Sequence, residues 1–328
     1  MEHQAVNPFQ RTELHVAPAQ KPITRESNII CAGSCFTTLL GDQLRKYKFK
    51  ALVQPFGTIF NPITLSELFL AQATDIQQHS FVHNEVSLNF KLNSAPFSAS
   101  SLEDLNENIE TTFQYLHQNI AQATHLVLTL GTAHVYFLKE SEVPVSNCHQ
   151  LPSNIFKQRM LTVEEVEENL KKLVKGLLAR NKSLHFIFTV SPVRHVKDKL
   201  HINSLSKAVL RVAIDNVCQQ FTEASYFPAF ELLLDDLRDY RFYESDLIHP
   251  GELAENYIWN KFSLAYFSPV QQKEMELLDE ILSALSHKPR FPFAESWLNF
   301  KAQLKDKLEK LSTTLPLTDE WMRFNNLP

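Results

Sequence analysis

Asn28-Ile-Ile-Cys-Ala-Gly-Ser-Cys-Phe-Thr-Thr-Leu-Leu-Gly-Asp-Gln-Leu44 is the stretch on which the fold turns. Its first six residues form a short apolar run ending in glycine, which reads as a buried strand. Phe36, Leu39, Leu40 and Leu44 then recur at helical spacing. The chain therefore passes from strand to helix through a sharp turn at Gly33-Ser34.

The same alternation continues outward. A strand is expected at 51–55, a loop at 57–62 and a helix at 64–72, followed by alternating apolar and polar residues at 80–97 that suit an inserted β-hairpin. A helix at 102–122 leads into His125-Leu-Val-Leu-Thr-Leu130, a continuous apolar run of the kind found in a central parallel strand. Residues 135–145 alternate again and read as a second hairpin, at the edge of the main sheet. Beyond them come an amphipathic helix (165–178), a strand (184–190), a helix (202–221) and a fifth strand (224–232). Strand and helix in this order predict a doubly wound parallel sheet with helices on both faces, where sites gather at strand ends. Helices at 252–262, 270–286 and 294–311 close the chain. The organisation expected is an extended N-terminal segment (1–27), an α/β domain (28–267) and a helical C-terminal extension (268–328).

Composition narrows the classes of function. With 44% hydrophobic and 21% charged residues among 328, the chain can bury a substantial core. A net charge of −5 with scattered Lys and Arg offers no footprint for nucleic acid. No basic region followed by an apolar stretch opens the sequence, and no window is long enough to span a membrane. Cys31, Cys35, Cys148 and Cys218 lack redox or zinc spacing, so reduced thiols and a cytoplasmic location are expected.

Ser34 lies between a strand's carboxyl end and a helix's amino end, where free backbone N–H groups can stabilise an oxyanion; equally, serine there is a common helix cap. Asp246-Leu-Ile-His249 follows the fifth strand, and a carboxylate three residues before an imidazole can orient the ring and stabilise its charged form. Cys35 could be a thiolate at a helix N-terminus, although burial against the sheet is the plainer expectation. His134 and His195 follow strand ends and could line a cleft. Arg194 could clamp an anionic substrate group or fix its loop by an ion pair. The carboxylates of Asp235-Asp-Leu-Arg-Asp-Tyr-Arg241 are interleaved with Arg238 and Arg241, which argues for ion-paired loop structure rather than a metal site. No metal or cofactor motif appears.

Ala32-Gly-Ser-Cys-Phe-Thr37 resembles the signature that gives the GSCFA family its name. The resemblance continues through Phe56-Gly-Thr-Ile-Phe-Asn-Pro62, Thr129-Leu-Gly-Thr-Ala133, Ser191-Pro-Val-Arg-His195, Asn203 with Ser206-Lys207, Tyr226-Phe-Pro, Leu237-Arg-Asp-Tyr-Arg-Phe-Tyr243 and Asp246-Leu-Ile-His-Pro250, covering about residues 28 to 265. That family is similar to the SGNH or GDSL hydrolases, which cut or transfer acyl esters. The resemblance implies a flavodoxin-like three-layer αβα sandwich and a serine esterase or O-acyl transferase without cofactor, acting on a carbohydrate or small acyl ester. It implies Ser34 as nucleophile, His249 as general base, Asp246 as its orienting partner, and the N–H groups of Ser34 and Gly57 as an oxyanion hole.

One departure stands out. SGNH enzymes place an Asn side chain in the hole after the third strand, whereas this chain reads Gly131-Thr-Ala-His134. Thr132, His134 or Asn61 would have to take the role, or the hole has two donors; Asn61, His134, Arg194 and His195 are also the candidate substrate-binding residues. The alternative is a non-catalytic protein that holds a glycan or other ligand in the same cleft. The C-terminal helices offer a surface for homodimerisation, in which case truncation near residue 268 would leave the core folded.

Overall fold

The protein is described by a computed structural model covering residues 12–196 and 199–328. Of the expected N-terminal segment, residues 1–11 lie outside the described residues. Residues 12–27 run extended along the surface, pinned by the Ile23 N–H donating to the Tyr266 carbonyl at 2.8 Å.

Five strands build the main sheet: β1 (Asn28–Gly33), β2 (Lys50–Val53), β5 (His125–Leu130), β9 (His185–Val190) and β10 (Ala224–Tyr226). All neighbours are parallel, in the order β2-β1-β5-β9-β10. Renumbered along the sheet this is 2-1-3-4-5, the flavodoxin-like order, as expected. β5 and β9 are buried along their whole length, which explains their unbroken apolar sequence.

Helices cover both faces. On one lie α2 (Pro62–Leu70), α4 (Leu102–Gln122), α5 (Val163–Arg180) and α6 (Leu200–Gln220), around a core containing Phe56, Phe69, Phe113, Leu170, Phe186 and Phe188. A capping box starts α5: the Thr162 side chain accepts the Glu165 N–H and Glu165 returns the bond to the Thr162 N–H. On the other face lie α1 (Phe36–Lys46) and, after the short α7 (Ala229–Glu231), α8 (Glu252–Tyr266).

The hairpin expected at 80–97 is shorter, β3 (Ser80–His83) and β4 (Val86–Asn89), with a two-residue turn in which Asn84 and Glu85 both have positive φ; the short α3 (Ala73–Gln77) precedes it. The second alternating stretch is not at the edge of the main sheet. β6 (His134–Leu138), β7 (Pro144–Val145) and β8 (Phe156–Met160) form a separate antiparallel sheet in the order β7-β6-β8. The main sheet's edges are β2 and β10, and β5 is already flanked by β1 and β9, so the chain leaving β5 must pair elsewhere. The fifth strand is also shorter than expected. Pro228 has no N–H for the ladder, and Leu232–Leu237 form a π-helical turn whose leucines pack on the α1 face.

The C-terminal extension consists of α9 (Pro269–Ser286), α10 (Glu295–Ser312) and α11 (Thr318–Asn325), the last of which the sequence reading did not anticipate. It shares a core with α1 and α8: Met275, Leu278, Ile281, Leu304, Leu308 and Leu311 pack against the cluster that holds Phe36, Leu40 and Phe262. Arg25 pairs with Glu274 at 2.8 Å, and the Tyr47 hydroxyl donates to Asp279 at 2.7 Å. The extension thus contributes buried side chains to the core on the α1 face.

Candidate active site

Gly33 closes β1 with φ +135°, and a Cβ there would lie 2.1 Å from the Thr129 carbonyl oxygen. Only glycine lets the two strand ends approach so closely. Gln54 then clamps the turn: its side-chain oxygen accepts the Gly33 N–H at 3.1 Å, while its amide donates to the Gly33 and Ser34 carbonyls at 3.2 and 2.9 Å. Ser34 follows, fully buried, and its Oγ makes no hydrogen bond among the described residues. Its N–H continues the ladder, donating to the Thr129 carbonyl at 2.9 Å. Cys35 is the N-cap of α1 and is only partly buried.

Asp246 and His249 do meet. Asp246 Oδ2 lies 2.7 Å from His249 Nδ1, and its Oδ1 accepts the N–H groups of Ile248 and His249 at 2.8 and 3.0 Å. The His249 side chain and these two N–H groups hold the Asp246 carboxyl well below the usual carboxylate range, at about 2. A charged carboxylate on Nδ1 fixes that nitrogen as the protonated one and leaves Nε2 for proton transfer. The loop is tied to the end of β9 by the Arg194 N–H donating to the Ile248 carbonyl at 3.3 Å, which puts it at the carboxyl edge of the sheet. Ser34 is not hydrogen-bonded to this pair.

The expected oxyanion donors are occupied. The N–H groups of Ser34, Gly57 and Thr132 donate to the carbonyls of Thr129, Gln54 and Phe60 at 2.9, 2.9 and 3.1 Å. The Thr132 hydroxyl is 2.9 Å from Ser206 Oγ, which also accepts the Ala133 N–H at 2.7 Å. Asn61 caps α2 through its Oδ1 and gives its amide to the Val145 carbonyl. In this conformation the hole expected from Ser34, Gly57 and Thr132 is closed.

A cavity of about 810 Å³ opens between the 58–61 loop and the small sheet. Phe60, Tyr136 and Phe156 give it aromatic faces, and Asn61, Asn93, Asn147, Gln150 and Gln158 give it amides; among the described residues no carboxylate, ammonium or guanidinium lines it. Three of the four expected substrate-binding residues, Asn61, His134 and His195, are on its wall. Arg194 is elsewhere, its guanidinium 4.2 Å from the Tyr243 ring and 5.2 Å from that of Tyr240.

Lys207, which the sequence presents only as part of the family resemblance, lies close to these residues. Its side chain is buried at the edge of the sheet and donates to the carbonyls of Gly131 and Ser191 at 2.6 and 2.8 Å. Burial pulls its pKa down to about 7, opposed by Cys35. The signal was present: Asn203, Ser206, Leu210, Ala213, Ile214 and Val217 form the buried face of α6, and a lysine sits on that stripe. Asp236, in the acidic run, accepts the Leu14 N–H and the Tyr257 hydroxyl at 3.1 and 2.7 Å, in keeping with a structural role. No group of carboxylate, histidine and cysteine side chains suited to a metal occurs among the described residues.

The fold and the site define a doubly wound α/β protein with a carboxylate–imidazole pair and a strand-to-helix turn at the carboxyl edge of its sheet. The GSCFA family profile matches residues 28–262, and the chain belongs to the GSCFA family. No curated protein matches it. Among solved structures it is similar to a Streptococcus pneumonia protein provisionally described as a platelet activating factor, at 9% identity and TM-score 0.38, over 74% of this chain and 85% of that one. It is also similar to a carbohydrate esterase family 3 protein from Talaromyces cellulolyticus, at 10% identity and TM-score 0.33, over 77% and 99% of the two chains. Likeness at this level bears on neither mechanism nor substrate. No helix among the described residues is long and apolar enough to cross a membrane.

Proposed function

We propose that the protein is an acyl-ester hydrolase or O-acyl transferase that works through a covalent acyl-enzyme formed on the strand–helix turn at residues 33–36. The sequence reading places that acyl group on Ser34. The observation that carries the proposal is the Asp246–His249 pair: a 2.7 Å bond to Nδ1, on a carboxylate already held by two backbone N–H groups, is the arrangement a general base requires. His249 Nε2 accepts the nucleophile's proton and later returns it to the leaving alcohol, while Asp246 steadies the imidazolium between the two steps. Neither chemistry nor charge balance calls for a cofactor.

The substrate class is proposed from the cavity, on whose wall Thr132 lies but Ser34, Cys35 and His249 do not. Aromatic faces with amides and hydroxyls, and no carboxylate, ammonium or guanidinium among the described residues, suit a neutral polyhydroxylated molecule such as an acylated sugar. A direct test measures release of acetate from acetylated neutral sugars, and of p-nitrophenol from p-nitrophenyl acetate, by the intact protein and by His249→Gln. Loss of both activities in the variant is expected; a variant as active as the parent removes His249 from the reaction. The occupied donors and Ala133 favour the non-catalytic reading. Acetylated sugar bound by the intact protein and never cleaved would establish that reading instead.

A further inference from the structure

We propose that the nucleophile of this site is the thiol of Cys35, one residue beyond Ser34, and that acyl transfer from a carboxylic ester passes through a Cys35 thioester. The inference rests on the acyl-transfer reading and replaces its nucleophile.

Exposure separates the two neighbours. Ser34 has 0% of its surface exposed, so in this conformation an ester carbonyl does not reach its Oγ, and its main-chain N–H is committed to β5. Cys35, the N-cap, has helical backbone, φ −55° and ψ −30°, and is partly open. Cys35 and Ile248, the neighbour of His249, both pack against the core on the α1 face of the sheet.

The start of α1 around the thiol is the proposed replacement for the expected hole. The first intrahelical bonds run from the Thr37 N–H to the Ser34 carbonyl (2.9 Å) and from the Thr38 N–H to the Cys35 carbonyl (3.0 Å). The N–H groups of Cys35 and Phe36 precede them at the start of the helix. First-turn N–H groups carry the positive end of the helix dipole. A carbonyl carbon bonded to Sγ would place its oxyanion within their reach. Burial raises the thiol's pKa, opposed more weakly by the Phe36 and Cys35 backbone and by Lys207. A resting thiol therefore needs a base, which the Asp246–His249 pair provides.

The chemistry balances. His249 Nε2 takes the Sγ proton, the Sγ electron pair forms the C–S bond, and the carbonyl electrons move to oxygen. Collapse breaks the C–O bond, and the leaving alkoxide takes the proton from His249. Water, or an acceptor hydroxyl, gives its proton to His249 and attacks the thioester; the thiolate leaves and is reprotonated.

The experiment acylates the full chain with p-nitrophenyl acetate, quenches in acid and locates the adduct by peptide mass spectrometry before and after neutral hydroxylamine. That reagent cleaves thioesters and spares serine esters. The expected result is an acetyl group on Cys35 that hydroxylamine removes, absent in His249→Gln, with turnover lost by at least ~10³-fold in Cys35→Ala. Cys35→Ser, nearly isosteric, keeps the fold and is expected to be as impaired. An adduct on Ser34 that resists hydroxylamine overturns the inference and leaves the acyl-transfer reading intact. Acetylation shared among Cys35, Cys148 and Cys218 and indifferent to His249→Gln also overturns it. No adduct and no turnover overturn both.

Discussion

Replacing Lys207 by methionine should flatten the alkaline rise in stability that the buried amine imposes. The side chain is 1% exposed and donates to two carbonyls, and its pKa falls from 10.5 to about 7 because burial disfavours the charged form. Below about pH 7 the lysine is protonated in both the folded and the unfolded chain, and the cost of burying the charge is fully present. Between pH 7 and 10.5 the unfolded chain holds a proton that the folded chain has released, so stability rises with pH. The limiting slope is about 1.4 kcal/mol per pH unit, which gives roughly 2–3 kcal/mol between pH 7.5 and 9.5. Other groups act in the opposite sense. Cys31 and Tyr266, each pushed up to about 12 by burial, ionise first in the unfolded chain and erode stability at high pH, but they do so equally in both proteins. Urea denaturation of the parent and of Lys207→Met at the two pH values therefore isolates the lysine as a difference of differences. Parallel behaviour of the two proteins would refute a deprotonating lysine at the sheet edge.

Asp246→Asn should lower kcat on p-nitrophenyl acetate by on the order of 10²- to 10⁴-fold with little change in KM, because an amide cannot stabilise the imidazolium; steady-state kinetics decide it. Gly33→Ala puts a methyl group 2.1 Å from the Thr129 oxygen in a left-handed backbone, and should cost at least ~3 kcal/mol in denaturant melts or abolish soluble expression. Truncation after residue 268 removes Met275, Leu278, Ile281, Leu304, Leu308 and Leu311 from the core on the α1 face. At roughly 1.5–3 kcal/mol per buried side chain, the loss matches or exceeds the whole stability of a typical domain, so near-UV circular dichroism should collapse. A truncated chain with a native spectrum would restore the extension as a separate appendage.

The sheet was legible because its central strands are buried on both faces and carry unbroken apolar runs, as in His125–Leu130. The alternation of strand and helix pointed to a doubly wound parallel sheet, and the flavodoxin-like order came from the family resemblance. The edges were less legible. Leu232 and Leu233 are as apolar as strand residues, but Pro228 takes the chain out of the ladder before them. The small sheet was misplaced because alternation reports that a strand has one buried face and says nothing of which sheet supplies its partner. In the site, Asp246 and His249 are three residues apart and could be read locally. What each N–H donates to could not: the occupation of Ser34, Gly57 and Thr132 depends on carbonyls of Thr129, Gln54 and Phe60 brought in by the fold. The sequence points to Ser34 as nucleophile and to Cys35 as the buried neighbour, whereas in the fold Ser34 is buried and Cys35 is partly exposed.

The central claim is a covalent acyl-enzyme at the carboxyl edge of the sheet that depends on His249. Stopped-flow measurement of p-nitrophenol release, with intact-mass analysis of the quenched protein, addresses it most directly. The account predicts a burst stoichiometric with protein, a matching acetyl mass gain, and loss of both in His249→Gln. Release that is linear from the first turnover, with no mass gain, would contradict it.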